Sequence, residues 1–212
     1  MESPSGTIWK VFPLIKGGEN VSSTDGGRPR RKRADAQRNV DALIEAAKAV
    51  FTTTGVDAPA KEITDRAGVG IGTLYRHFPL RSDLVTAVLQ HEIDACAEAG
   101  PVLQAEFEPT EALMRWVARF TEFVATKRGL AAALHSGDPA FDGLPGYFND
   151  RLEPVVASLL GAAAGTGTLR KDVAARDLLH AVALLCQPVP GEGPAYNQRM
   201  VAVFVDGLRR RS

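Results

Sequence analysis

The stretch Pro59-Ala-Lys-Glu-Ile-Thr-Asp-Arg-Ala-Gly-Val-Gly-Ile-Gly-Thr-Leu-Tyr-Arg-His-Phe78 decides the fold. Pro59 suits the first turn of a helix, where a missing N–H leaves nothing unsatisfied, and Asp57 just ahead is placed to cap the exposed amides. Ile63 and Ala67, four apart, share one helical face, which ends at the breaker Gly68-Val69-Gly70. A second helix follows, with Ile71, Leu74 and Phe78 on one side and Thr73, Tyr75, Arg76 and His77 on the other; Pro79 ends it. Two short helices around a glycine turn, the second polar on its outer face, have the layout that puts a helix into the DNA major groove.

Upstream, a helix is predicted from about Asp35 to Thr54, with Val40, Leu43, Ile44, Ala47 and Phe51 as its apolar stripe and Gly55 as its stop. It should support the other two. Ahead of it, Arg28-Pro-Arg-Arg-Lys-Arg33 carries five positive charges in six residues. Such a run is usually a solvated segment. Beside a helix-turn-helix, Arg30, Arg31, Lys32 and Arg33 read as an arm on phosphates or in the minor groove. Residues 1–27 mix Gly, Ser, Pro and Asn without period and read as a disordered leader. Its apolar patch Ile8–Ile15 contains Lys10 and Pro13 and is too short for a signal peptide or a membrane span, so a cytoplasmic protein is expected.

Several of these residues carry a resemblance. Ala67-Gly68-Val69, then Gly72-Thr73-Leu74-Tyr75-Arg76-His77-Phe78-Pro79 and Arg81-Ser-Asp-Leu84 resemble the DNA-binding domain of TetR-type transcriptional regulators, and the match extends upstream through Ile44-Glu-Ala-Ala47, Phe51 and Gly55. The chain departs from the usual pattern at Thr64, where Ala is common, at Gly70, where Ser or Thr often caps the recognition helix, and at Arg81, where Lys is usual. Thr64 suggests slightly looser packing of the short helix, Gly70 loses a side-chain cap, and Arg81 keeps the charge. The resemblance implies an all-α protein: an N-terminal three-helix helix-turn-helix DNA-binding domain (28–85), then a larger C-terminal helical domain (86–212) for ligand binding and dimerisation. It also implies that the connecting helix transmits ligand occupancy to the reading head.

That connecting helix should start near Ser82, capped by it, with Asp83 in its first turn, and run to about Phe107 with a kink or division at Gly100-Pro101. Another begins at Pro109-Thr110-Glu111 and presents Leu113, Trp116, Val117, Phe120 and Val124 as core. A short Ala-rich helix around residues 129–136, a loop over 137–145 and a helix from Tyr147 to about Ala164, locally broken at Pro154, follow before Gly165-Thr-Gly167. The last two helices are apolar most of the way round: Leu178, Leu179, Val182 and Leu185 on one, Met200, Val201, Phe204 and Leu208 on the other. Such a pair needs cover on more than one side, and the same pair from a second copy supplies it, giving a homodimer; a monomer whose own core hides them is the alternative.

Composition sets the outer limits. At 212 residues with 45% apolar and 24% charged side chains, the chain is long enough for a substantial core. Net charge is zero, yet residues 28–85 hold 11 Lys/Arg against 7 Asp/Glu (net +4), while residues 86–212 hold 12 against 15 (net −3). A basic module for phosphate joined to an acidic body fits that asymmetry. Cys96 and Cys186 lie in apolar helical patterns and read as reduced core thiols.

The candidate chemistry is contact chemistry. The amides around Gly70 to Thr73 at the recognition-helix start suit phosphate, Gly72 allows close backbone approach, and Thr73 can donate to a phosphate or a base edge. Family resemblance assigns Tyr75 and His77 to backbone phosphates. Arg76 reaches a guanine edge or only a phosphate, since Arg does both. Lys61 and Arg81 are further phosphate candidates. The resemblance also implies a small-molecule effector, with Trp116, Phe120, Phe123, His135, Phe141, Tyr147 and Phe148 as candidate pocket residues; their mixture suggests a largely apolar ligand.

An enzyme is the first rival. The four histidines are scattered, no metal-ligand spacing or nucleophile motif is present, and Gly68-Val-Gly-Ile-Gly72 lacks the strand and spacing of a dinucleotide site, so no catalytic residue, metal or cofactor is expected. The second rival is a helical interaction scaffold with a vestigial DNA-binding module. The expected partners are therefore a double-stranded palindromic DNA operator read by a homodimer, a small-molecule effector and no membrane. Repression is the family's default.

Overall fold

The computed structural model describes residues 28–128, 130–134 and 136–209. The expected leader (1–27) and the candidate His135 lie outside them. The chain runs through α1 (Arg28–Thr53), α2 (Ala60–Ala67), α3 (Ile71–His77), α4 (Arg81–Glu106), α5 (Pro109–Arg128), α6 (Ala131–Leu134), a 3-10 turn (Pro139–Phe141), α7 (Leu144–Gly165), α8 (Ala175–Leu185) and α9 (Pro194–Asp206). Among the described residues the fold is all-helical, as expected, with one isolated antiparallel bridge between Leu169 and Arg209.

Two apolar cores organise it. The first gathers Leu43, Ala47, Val50 and Phe51 of α1, Ile63 of α2, Leu74 of α3 and the first turns of α4, Leu84 to Leu89. The second is built from the later α4 positions Ile93, Cys96 and Ala97 with α5, α7, α8 and α9. One helix, α4, therefore contributes to both. The head's core also reaches past the expected boundary at residue 85, taking in Val88, Leu89 and, from the C-terminal part, Leu130, Phe141 and Leu144.

Local signals account for most element ends. Gly55 (φ +89) follows α1 and Gly68 (φ +67) closes α2, both in the left-handed region that a Cβ disfavours. Several expectations need correction. Helix α1 starts at Arg28, so the run Arg28–Arg33 is the beginning of that helix and not an extended segment. Asp57 does not cap α2, whose N-cap is Pro59. Ser82 does not cap α4; the Asp83 carboxylate does, accepting the Leu80 N–H at 2.9 Å. Thr64 is buried, and its hydroxyl donates to the Lys61 carbonyl at 3.0 Å, so the position is enclosed and satisfied.

Neither Pro101 nor Pro154 divides its helix; α4 and α7 run through them. Packing holds α4 around its proline. The Trp116 indole donates to the Cys96 carbonyl at 2.8 Å, and Gly100 lies so close to α7 that a Cβ there would sit 2.2 Å from Val155 Cγ1. Across the same seam the Tyr147 hydroxyl donates to Asp94 at 2.7 Å, and Arg151 Nε reaches that carboxylate at 2.6 Å.

Candidate nucleic-acid interface

Helix α3 presents the expected polar flank. Gly70 precedes it in an extended conformation (φ −73, ψ 148) with no side-chain cap, and its carbonyl accepts the Thr73 N–H at 2.9 Å, the first bond of the helix. Gly70, Gly72 and Arg76 are exposed; Thr73, Tyr75 and His77 are half-buried. A Cβ at Gly70 or Gly72 would meet nothing within 4 Å, which leaves the backbone open to an incoming surface. Leu74 is fully buried and Phe78 nearly so, seating the helix in the core it shares with α1, α2 and the start of α4. Tyr75 is half-buried and packs against that core, close enough to Arg81 to act on its charge.

Ile71 departs from the expectation. Three residues before Leu74, it should belong to the buried stripe, yet it is 45% exposed. It is the first residue of a seven-residue helix, and the core does not extend that far.

Arg81 also stands differently. Its guanidinium donates to the carbonyls of Val56 and, at 3.0 Å, Ala58, and lies 3.9 Å from the Asp57 carboxylate. Burial lowers its pKa from the usual arginine range, with Asp57 and Tyr75 acting against that shift. The side chain clamps the α1–α2 turn to the start of α4, which counts against its expected place on a phosphate. Lys61, by contrast, is exposed beside Asp65 at 2.6 Å. Arg30, Arg31, Lys32 and Arg33 lie on the first turns of α1; their side chains are outside the described set.

Behind this face, α1 meets α4 and α5 through a charged seam that sequence reading missed. Lys48 Nζ lies 2.6 Å from Glu92 Oε1, a carboxylate only 7% exposed, and Glu45 is 3.0 Å from His91 Nε2. The ligand atoms of Glu45, His91 and Glu92 lie within 4.8 Å of one another, but the Lys48 ammonium already serves Glu92 as counter-ion. A cavity of about 220 Å³ opens beside it, lined by Lys48, Glu92, Arg119, Glu122 and Phe123. The signal was available: Glu92 interrupts the otherwise apolar series Leu89, Ile93, Cys96 on the buried side of α4.

The effector candidates separate. Trp116 and Phe120 are fully buried and stacked at 5.4 Å, and Phe123 and Phe148 complete the cluster with ring separations of 5.9–6.2 Å. Of the named candidates, Phe123 alone also lines the charged cavity. Phe141 packs in the head's core, away from that cluster, which corrects its placement in a pocket. Tyr147 is engaged with Asp94 in the α4–α7 tie.

The dimer candidates separate as well. Leu178, Leu179, Val182, Val201 and Leu208 are buried within the chain's own core and leave little surface for a partner. Leu185, Met200 and Phe204 are half-buried. The outward apolar groups are Leu184, 71% exposed, and Val203, 65% exposed. Both lie off the buried stripe of their helix, on the side that the chain's own core leaves uncovered.

Known proteins resemble the chain over both parts. Residues 43–88 match the model for bacterial regulatory proteins of the tetR family, and residues 108–210 match the SbtR-like C-terminal domain of transcriptional regulators. A TetR transcriptional regulator from Streptomyces coelicolor, SCO0520, superposes with TM-score 0.68 at 33% identity, covering 82% of this chain and 99% of its own. A TetR regulatory protein from Mycobacterium vanbaalenii does so with TM-score 0.66 at 33% identity, covering 84% and 99%. The transcriptional repressor KstR of Mycobacterium tuberculosis is 26% identical over 81% of this chain and 73% of its own length. No helix among the described residues is long and apolar enough to cross a membrane.

Proposed function

Because this chain belongs to the TetR family of transcriptional regulators, with a helix-turn-helix DNA-binding domain, we propose that it is a homodimeric repressor that reads a palindromic operator and releases it on binding a small molecule. The exposed flank of α3 carries the reading: Gly70, Gly72, Thr73 and Arg76 face outward on a helix whose other side is held by Leu74 and Phe78. The first-turn amides and the Tyr75 and His77 side chains take backbone phosphates. Arg76, the exposed cation of the helix, takes a guanine edge or a phosphate, and Lys61 and the basic first turns of α1 add phosphate contacts.

One short helix covers few base pairs, so two copies are needed for useful specificity. Leu184 and Val203 supply the apolar centre of that pairing, with Leu185, Met200 and Phe204 at its edge. Effector response is assigned to the body: a largely apolar ligand would open the ring cluster of Trp116, Phe120, Phe123 and Phe148 between α5 and α7. Ligand-linked rearrangement at that cluster reaches α4, which both cores share. KstR, named as a repressor, supports the sign of the response.

Selection of duplexes from a random library, followed by affinity measurement across salt concentrations, tests the reading. A palindromic consensus is expected, with Arg76→Ala lowering the salt slope by about one unit per contact removed and Tyr75→Phe weakening binding with little change in slope. Absence of any selected sequence, or affinity indifferent to both substitutions, overturns it.

A further inference from the structure

The exposure of Ile71 is unusual for its place. A β-branched apolar side chain, 45% exposed, stands at the first position of α3, where the amides on either side belong to Gly70 and Gly72. Neither glycine offers a side chain to cover it, and a Cβ built at either would meet nothing within 4 Å. Ile71 therefore projects past its neighbours at the leading end of the helix. The largest apolar group that the major groove offers such a surface is the C5-methyl of thymine; the other base edges there are dominated by hydrogen-bonding atoms that isoleucine cannot satisfy.

From this the geometry points to Ile71 as a specificity-determining residue that reads a thymine methyl in each half-site. The inference rests on the DNA-binding reading above and sharpens it. Polar groups on the other side of the helix fix register on the phosphates, and Arg76 lies five residues further along it. Ile71 supplies apolar discrimination at a position separate from any guanine contact. Burial of one methyl group corresponds to about a fourfold change in affinity.

The test uses the full chain and a duplex selected by it from a random library. Each thymine of a half-site is replaced in turn, in both half-sites together, by deoxyuridine, which removes only the methyl. For the unmodified chain, one position should lose about fourfold in affinity per half-site. In Ile71→Ala that position should become indifferent to the methyl, while Ile71→Val should keep part of the response. Ile71 is exposed, so neither substitution disturbs the core. If no thymine responds to methyl removal, or Ile71→Ala responds as fully as the parent chain, the assignment is wrong although the DNA-binding reading stands. A chain that selects no duplex overturns both.

Discussion

Arg81 shows how a cation next to a DNA-reading helix can be committed elsewhere. With its guanidinium on two backbone carbonyls and near Asp57, truncation leaves those acceptors unsatisfied in a partly buried place. Arg81→Ala should destabilise the protein by about 1–3 kcal/mol in denaturant melts and leave the salt slope of DNA binding unchanged. A slope reduced by one, with normal stability, would return Arg81 to the phosphates. Cys96 makes a second residue-level case. Burial, aided by Glu92 and opposed by Arg119, pushes its thiol up to about 12 from 9.0. The unfolded thiol ionises first, so stability is full below about pH 9 and declines as pH rises toward the folded value. One unit above the unfolded pKa the loss is about 1.4 kcal/mol. Chemical melts at pH 8 and about pH 10, compared with Cys96→Ala, should show the parent losing that much more than the variant.

At the scale of elements, α4 carries the argument, because its early turns belong to the head and its later turns to the body. Its crossing with α7 depends on Gly100. An alanine there would place Cβ 2.2 Å from Val155 Cγ1, and a β-branched neighbour cannot turn aside freely. Gly100→Ala should cost about 1–3 kcal/mol despite alanine's better helix propensity, and Val155→Ala in the same chain should recover part of it. Equal urea midpoints for parent and Gly100→Ala would show that the two helices slide apart without penalty. The continuous passage of α4 through Pro101 has the same origin: proline removes one hydrogen bond, while packing against Trp116 and α7 holds the helix together.

For the molecule as a whole, the surface offers a direct handle on assembly. Leu184→Glu or Val203→Glu introduces like charges into the proposed twofold contact while touching groups that the chain itself leaves exposed. Light scattering should report a shift toward monomer, and operator affinity should fall with it. Leu178→Ala should instead cost about 2–5 kcal/mol of stability, because Leu178 lies inside the core, and leave the stoichiometry of the folded protein unaltered. A dimer that persists in both glutamate variants would place the contact elsewhere.

The helical order, the turn at Gly68, the seating of α3 through Leu74 and Phe78, and the outward polar flank all follow from local rules of period and punctuation, and those were legible in the residues alone. Period states which residues share a face but not how far the neighbouring core extends, and so Ile71 emerged exposed although it lies on the stripe of Leu74. It does not say which of two apolar faces the chain covers itself, and so Leu178 and Val201 turned inward while Leu184 and Val203 remained outside. Nor does it assign partners across distant segments: the clamp of Arg81 on Val56 and Ala58 and the pairing of Lys48 with Glu92 arise only when separate helices are packed together. Local sequence determined the elements and the reading flank; tertiary packing decided which charges and apolar groups remained free, because burial depends on the whole chain's arrangement.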